Sequence, residues 1–245
     1  MNFVQVAIPS PLRQTFTYKN QFSSDLIGKR VLVEFGRRKL VGIVISQSKN
    51  FDENYKLKQI EEVLDDSPLF DKQALKKIIN IANYYMHPIG IVFESFIPSF
   101  LRKAKHQKTL EKYVIKIDSD KAIKSLHTLT RDQKNALNSI ESNDSGEILL
   151  SGITSSGKTE VYKHFIKKLL KKGKSALVLV PEIFLTPQIF NDFQETFGNK
   201  VLLNHSGLTP VQRIKVWLTS QNNKPKIIIG TRSSIFLPIC NLGGI

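Results

Sequence analysis

Gly152, Gly157, Lys158 and Thr159 stand in the stretch GITSSGKT, residues 152–159, with the spacing G-x-x-x-x-G-K-[ST]. Glycines at both ends let successive backbone N–H groups turn towards one point, and a helix starting there adds the positive end of its dipole. Such a loop cradles phosphate oxygens. The Lys158 ammonium would reach the β- and γ-phosphates of ATP, and the Thr159 hydroxyl would ligate Mg²⁺. Ile153, Thr154, Ser155 and Ser156 fill the loop between the glycines. Hydrolysis asks for further groups: a carboxylate ending a neighbouring strand to hold the metal, and another to orient water. The last acidic residue of the sequence is Glu195. Glu182, closing SALVLVPE, is the one candidate in a strand-end position, and Pro181 beside it suggests another job. No catalytic set is complete, so the residues are expected to hold nucleotide without hydrolysing it.

The elements that must position this loop are legible from Thr130 onwards, where helical and apolar strand-like runs alternate. EILLSG reads as the strand before the loop, and KTEVYKHFIKKLLKKG as the helix after it, ending at Gly173. SALVLVPE reads as a strand and TPQIFNDFQETFG as a helix closing at Gly198. After KVLLNHSG, TPVQRIKVWLTS offers Thr209 as N-cap and Pro210 as first helical residue, and KIIIGT is a further buried strand. Strands alternating with helices predict a parallel sheet covered on both faces.

The first fifty residues have a different grammar. FVQVAI, TFTY, KRVLVEF and LVGIVIS are short β-rich runs broken by Pro9, Pro11, Gly28 and Gly36. DKQALKKIINIANYYM follows with helical period, placing Leu75, Ile78, Ile79, Ala82 and Tyr85 on one face. HPIGIVFESFIP reads as a second helix between two prolines. The division expected is a β-rich domain over 1–105, a basic linker over 106–128, and an α/β unit over 129–245.

Composition bounds the classes that remain. Thirty-six Lys and Arg against 21 Asp and Glu leave a formal net charge of +15, a field that favours polyanions or simply coats a soluble surface. The single cysteine, Cys240, excludes a disulfide framework and any zinc cluster drawn from this chain alone. No apolar run reaches the length of a membrane span, and MNFVQVAIPS is no secretory signal, so a cytoplasmic protein is expected.

The segments GITSSGKTEVY, LVLVPEIFLTPQ, NHSGLTPVQRIKVW and IIIGTRSSIFLPICNLG occur in the order seen in one family, as do VAIPSPLRQTFTY, RVLVEFG and YYMHPIGIVFESFIP nearer the start. The chain resembles the N-terminal part of the bacterial PriA family (primosomal protein N′), superfamily-2 DNA helicases of replication restart. The resemblance implies an OB-like domain that binds DNA 3′ ends, then an incomplete RecA-like helicase lobe with a parallel sheet. It implies that Gly152 to Thr159 bind ATP with Mg and that Gln133, in LTRDQ, reads adenine. Thr130 and Gln133 also form the pattern of a capping box, and both roles are compatible. Thr186 and Gln188, and Thr231 with Arg232, match segments that run along the single-strand backbone and position phosphates without reading bases. Phe16, Thr17, Tyr18, Gly36 and Lys58 match a pocket for the 3′-terminal nucleotide, although two aromatics on one side of a strand equally suit a core.

The expected partners are forked or 3′-ended DNA, with primosome proteins and single-strand-binding protein implied by the family. Four departures stand out. Thr17 replaces an aspartate and loses its charge-assisted bond. Ser155 replaces a loop glycine. The short 106–128 stretch leaves no room for the family's winged helix. The family's D-E-E-H box, zinc module and second helicase lobe have no counterpart in these residues. A stand-alone DNA-end-binding protein without turnover is the alternative function, and a nucleotide-dependent phosphotransferase acting on a small molecule a remoter one.

Overall fold

The computed structural model describes residues 2–22, 25–48, 57–118, 123–143, 146–181 and 187–245. The chain divides into two compact units, Met1–Val114 and Ile115–Ile245. The stretch expected to be a linker is thus shared between them. Leu110, in a 3-10 turn over Gln107–Tyr113, is buried in the first unit, and Ile117 is buried in the second.

In the first unit β1 (Asn2–Ala7), β2 (Phe16–Asn20), β3 (Arg30–Phe35), β4 (Arg38–Ser48) and β5 (Ile60–Val63) form one antiparallel sheet in the order β2-β1-β4-β3-β5. The sheet curls until its ends approach: the Lys19 N–H donates to the Lys58 carbonyl at 2.9 Å, and Lys19 bridges Gln59. The result is a small OB-like sheet. Alternation puts Val4, Val6, Tyr18, Val31, Val33 and Val44 inside. Arg30 and Asp65 are wholly buried as an ion pair at 2.6 Å, and Arg30 also donates to the Leu101 and Lys105 carbonyls. With each guanidinium edge satisfied, this clamp ties the sheet to the chain that leaves it.

Helix α1 (Lys72–Tyr84) is capped by Asp71, whose carboxylate accepts from the Ala74 N–H at 2.7 Å. Leu75, Ile78 and Ala82 are buried as the period requires. Tyr85 is not: the helix ends before it, and as C-cap it turns out of the face, 71% exposed. Helix α2 (Ile89–Phe96) follows Pro88 as expected.

The second unit holds a four-stranded parallel sheet, β6 (Ser175–Leu179), β7 (Val201–Asn204), β8 (Ile227–Gly230) and β9 (Leu242–Gly244), in the order β7-β8-β6-β9. Its helices are α3 (Arg131–Ser142), α4 (Lys158–Lys171), α5 (Pro187–Phe197) and α6 (Pro210–Ser220). Ile166 and Leu169 of α4 and Phe193 and Phe197 of α5 pack with Ile227 and Ile229, while Val216 of α6 packs with Ile228. Both faces of β8 are therefore covered, which is why its sequence is continuously apolar. The arrangement is a parallel sheet with helices on both faces, as expected for part of a RecA-like lobe.

One expected strand is not formed. Glu147–Gly152 has no strand pairing, and Leu149 is 92% exposed. Both edges of β6 are already taken, by β8 and β9, and β9 offers only three residues. An edge of three residues cannot satisfy the backbone groups of a six-residue segment as a strand. An apolar cavity of about 540 Å³, lined by Ile148, Leu150, Tyr162, Phe165, Leu169 and Leu177, separates this segment from β6.

Candidate nucleotide and DNA sites

The loop 152–157 precedes α4 as the spacing predicts, even though the strand before it is absent. Gly157 is the N-cap of α4, left-handed at φ 80°, ψ 24°, and no side chain caps the helix. The Glu160 N–H turns back to the Gly157 carbonyl at 3.0 Å, so the Lys158 and Thr159 N–H groups are the first-turn donors on offer to an anion at a helix of this length. Lys158 curls back over the loop, its Nζ donating to the carbonyls of Gly152 at 2.6 Å and Ile153 at 2.9 Å. The ammonium is therefore already held where phosphate oxygens would arrive, by neutral acceptors that phosphate can replace. Ser155 is left-handed at φ 63°, a conformation that explains why glycine suits this position. Thr159 is exposed in the first turn of α4, available as a single hydroxyl donor. The donor set fits a nucleotide phosphate. Glu182, the sequence's candidate carboxylate, lies outside the described residues.

Gln133 connects a second element to the loop. It closes the capping box of α3, with the Thr130 N–H donating to its Oε1 at 2.9 Å and its own N–H donating to Thr130 Oγ1 at 3.3 Å. Its Nε2 donates to the Ser156 carbonyl at 3.2 Å. The side-chain amide thus sits on the loop 152–157 while it caps its own helix.

Around the loop after β8, Thr231 is buried and Arg232 exposed. The Thr231 N–H donates to the Asn204 carbonyl at 3.2 Å and its hydroxyl lies 3.4 Å from Ser233 Oγ. Thr231 therefore shapes the turn, and Arg232 is the member of the pair that reaches outward. Gln188 is exposed in the first turn of α5, and Thr186 lies outside the described residues.

In the first unit, three of the five sequence-predicted pocket residues meet through a residue not singled out from the sequence, Glu34. The Tyr18 hydroxyl donates to the Glu34 carbonyl at 3.1 Å, and Lys58 Nζ pairs with the Glu34 carboxylate at 2.6 Å and with the Gly36 carbonyl at 3.0 Å. Burial pushes the Tyr18 phenol above its ordinary value, and the Glu34 charge adds to the effect, so Tyr18 stays a neutral donor. Phe16 is half-buried and meets Phe35 edge-on at 4.8 Å. Gly36, at φ 60°, opens the tight turn between β3 and β4 and is exposed. Thr17 points to the opposite face of β2, where it accepts from Gln5 Nε2 at 2.8 Å. Tyr18 itself is 4% exposed and belongs to the core, so Phe16, Gly36 and Lys58 are the members of the set accessible to a ligand.

Comparison with known proteins places both units. Residues 5–98 match the family described as the 3'DNA-binding domain (3'BD) of PriA, and residues 130–242 match the DEAD/DEAH box helicase family. The chain is similar to the replication restart protein PriA of Treponema pallidum (strain Nichols), with 32% identity over 252 positions that cover 98% of this chain and 37% of that protein. It is similar to the PriA of Haemophilus influenzae, with 31% identity over 318 positions, covering 100% of this chain and 44% of the relative. That alignment is longer than the 245 residues here, so some of the aligned Haemophilus positions have no counterpart in this chain. The Synechocystis PriA is 50% identical over 97 positions, 40% of this chain and 12% of its own length. The chain spans less than half the length of each of these relatives.

Proposed function

The chain belongs to the family of the replication restart protein PriA, and from that premise we propose that it binds ATP and DNA 3′ ends as the N-terminal portion of a 3′→5′ DNA helicase acting at stalled forks. The observation that carries the nucleotide half is the Lys158 ammonium held over the loop carbonyls at the uncapped start of α4. Bound ATP with Mg²⁺ supplies the phosphoanhydride whose cleavage drives unwinding in such motors. The chain's own part is to seat the phosphates on the α4 N–H groups and Lys158, to offer Thr159 as one metal-directed oxygen, and to present the Gln133 amide to the base.

For turnover, a carboxylate at a strand end would have to hold the metal. β8 ends at Gly230 and β9 covers Leu242–Gly244. No strand end among the described residues of this sheet offers a carboxylate for the metal. The DNA half rests on Lys58, Gly36 and Phe16 at one end of the curled sheet, with Arg232 and Gln188 as backbone contacts in the second unit. Primosome proteins and single-strand-binding protein are the partners this family membership suggests.

The test is fluorescent ATP-analogue binding beside ATPase assays with and without forked DNA. The expected result is nucleotide binding abolished by Lys158→Ala, with hydrolysis at background under all conditions. DNA-stimulated turnover that Lys158→Ala removes would overturn the non-hydrolysing assignment. DNA binding with no nucleotide binding at all would leave the stand-alone DNA-end-binding function.

A further inference from the structure

Helix α1 and the turn after it present an exposed face that neither the phosphate loop nor the 3′-end pocket uses. Lys72, Lys76, Asn80 and Tyr84 recur every fourth residue and are all exposed, so they form one stripe along the helix. Lys77 and Asn83 flank the stripe and are exposed as well. Over the helix's 13 residues the stripe runs roughly 18 Å at 1.5 Å per residue. No carboxylate occurs from Lys72 to His87, and none of the three lysines makes an ion pair among the described residues.

The stripe ends on three large side chains held out into solvent: Tyr84 at 80%, Tyr85 at 71% and Met86 at 71% exposure. They are not a frayed end. Tyr85 N–H donates to the Ile81 carbonyl, Met86 N–H to Asn83 and His87 N–H to Ala82, at 3.0, 3.1 and 2.9 Å. The two tyrosine rings meet edge to face, with centroids 4.9 Å apart and planes at 82°. Met86 is left-handed at φ 51°, a conformation costly for a side chain of its size. Backbone strain at a rigid, exposed aromatic tip points to a surface kept for binding.

We propose that this face is a second DNA contact, in which Lys72, Lys76 and Lys77 meet phosphates and Tyr84 and Tyr85 stack on the bases of single-stranded DNA. Cations without competing carboxylates, amides, and fixed aromatic rings in one row are the chemistry of a sequence-tolerant single-strand track. The overall charge of +15 favours the same partner. The contact deepens the DNA-binding role proposed above and rests on it, but it needs no strand end.

The test therefore uses a closed circular oligo(dT) carrying an internal fluorophore, which offers no 3′ end. Binding of the whole chain is followed by anisotropy across a salt series. Replacing both tyrosines, Tyr84→Ala with Tyr85→Ala, is expected to weaken binding about tenfold or more with the salt slope unchanged. Tyr84→Phe with Tyr85→Phe, which keeps both rings, is expected to restore it. Lys76→Ala with Lys77→Ala should lower the salt slope by about 1.4, two phosphate contacts at ~0.7 each. Since the circle has no 3′ end, the pocket reading is tested separately, by Phe16→Ala on 3′-ended DNA. Wild-type affinity for the circle in the Tyr84→Ala, Tyr85→Ala variant overturns the proposal and leaves the tip as a contact for protein.

Discussion

A Cβ added to Gly157 would lie 2.2 Å from Nε2 of Gln133, so the phosphate loop and the start of α3 are packed to glycine's dimensions. The same Gln133 amide caps α3 and donates to Ser156. One side chain therefore fixes the loop against a second helix, and the loop can be rigid although the strand expected before it is not formed.

Gly157→Ala should accordingly damage nucleotide binding by two routes. The left-handed backbone at φ 80° is strained for alanine, and the methyl would push Gln133 from its place. We expect fluorescent ATP-analogue affinity to fall at least about tenfold, which corresponds to ~1.4 kcal/mol. Binding to a 3′-recessed duplex, proposed above to use Phe16, Lys58 and Gly36, should be untouched, which anisotropy would check.

Ser155→Gly should do the opposite to stability. Ser155 holds φ 63° without the freedom glycine has there, and left-handed backbone costs an L-residue roughly 1–2 kcal/mol. The unfolded chain gains entropy from the glycine, so the net gain is expected to be smaller, about 0.5–1 kcal/mol. Trp217, the single tryptophan, is buried in α6 and reports the second unit alone in urea titrations. A lower urea midpoint for Ser155→Gly would contradict the strain argument.

Much of this was legible beforehand because it is local. The capping boxes at Thr130 and Thr209, the alternation of β1 to β4 and the continuous apolar run of β8 are written in consecutive residues. What was not legible depends on partners distant in sequence. Glu147–Gly152 has a strand's composition, yet β8 and β9 occupy both edges of β6, and the outer edge that β9 leaves is only three residues long. Tyr85 fits the buried period of α1, yet the helix stops one residue short of it. Phe16 and Tyr18 share a side of β2, as alternation requires, but only the curl of the whole sheet decides that Tyr18 is core and Phe16 half-buried. Glu34 enters the pocket through a hydrogen bond across 16 residues and an ion pair across 24, neither of which a motif can encode.

Glu34 and Lys58 give a prediction with a clear sign. Their side chains are 46% and 45% exposed, so the pair is weak and screened, but the carboxylate still occupies the ammonium that would meet a phosphate. Glu34→Gln should tighten binding to a 3′-recessed duplex several-fold at low salt, with the gain fading as salt rises. Lys58→Ala should weaken it, and Phe16→Ala should weaken the recessed end more than a blunt duplex. Equal losses on both substrates for Phe16→Ala would return that ring to a purely structural role.

Lys226 sets a pH dependence for the second unit. It is wholly buried at the start of β8, its Nζ donating to the Asn222 carbonyl at 2.6 Å and the Ser220 carbonyl at 3.4 Å. Burial lowers its pKa from 10.5 to about 8, with the nearby Cys240 charge offsetting part of the shift. Between about 8 and 10.5 the unfolded chain carries a proton that the folded chain has lost, so stability rises with pH through that window. The slope cannot exceed about 1.4 kcal/mol per pH unit for one proton. Below about 8 both states are protonated, and the cost of the buried ammonium is fully present. Urea titrations followed by Trp217 should show the rise in a Cys240→Ser background, which removes the Cys240 charge that offsets part of the shift. Lys226→Met in that background should lose this rise and be the more stable protein at pH 7, since an apolar chain of similar length replaces a buried charge. The same pH slope with and without Lys226 would show that the ammonium keeps an ordinary pKa in the folded chain, through water reaching the base of β8.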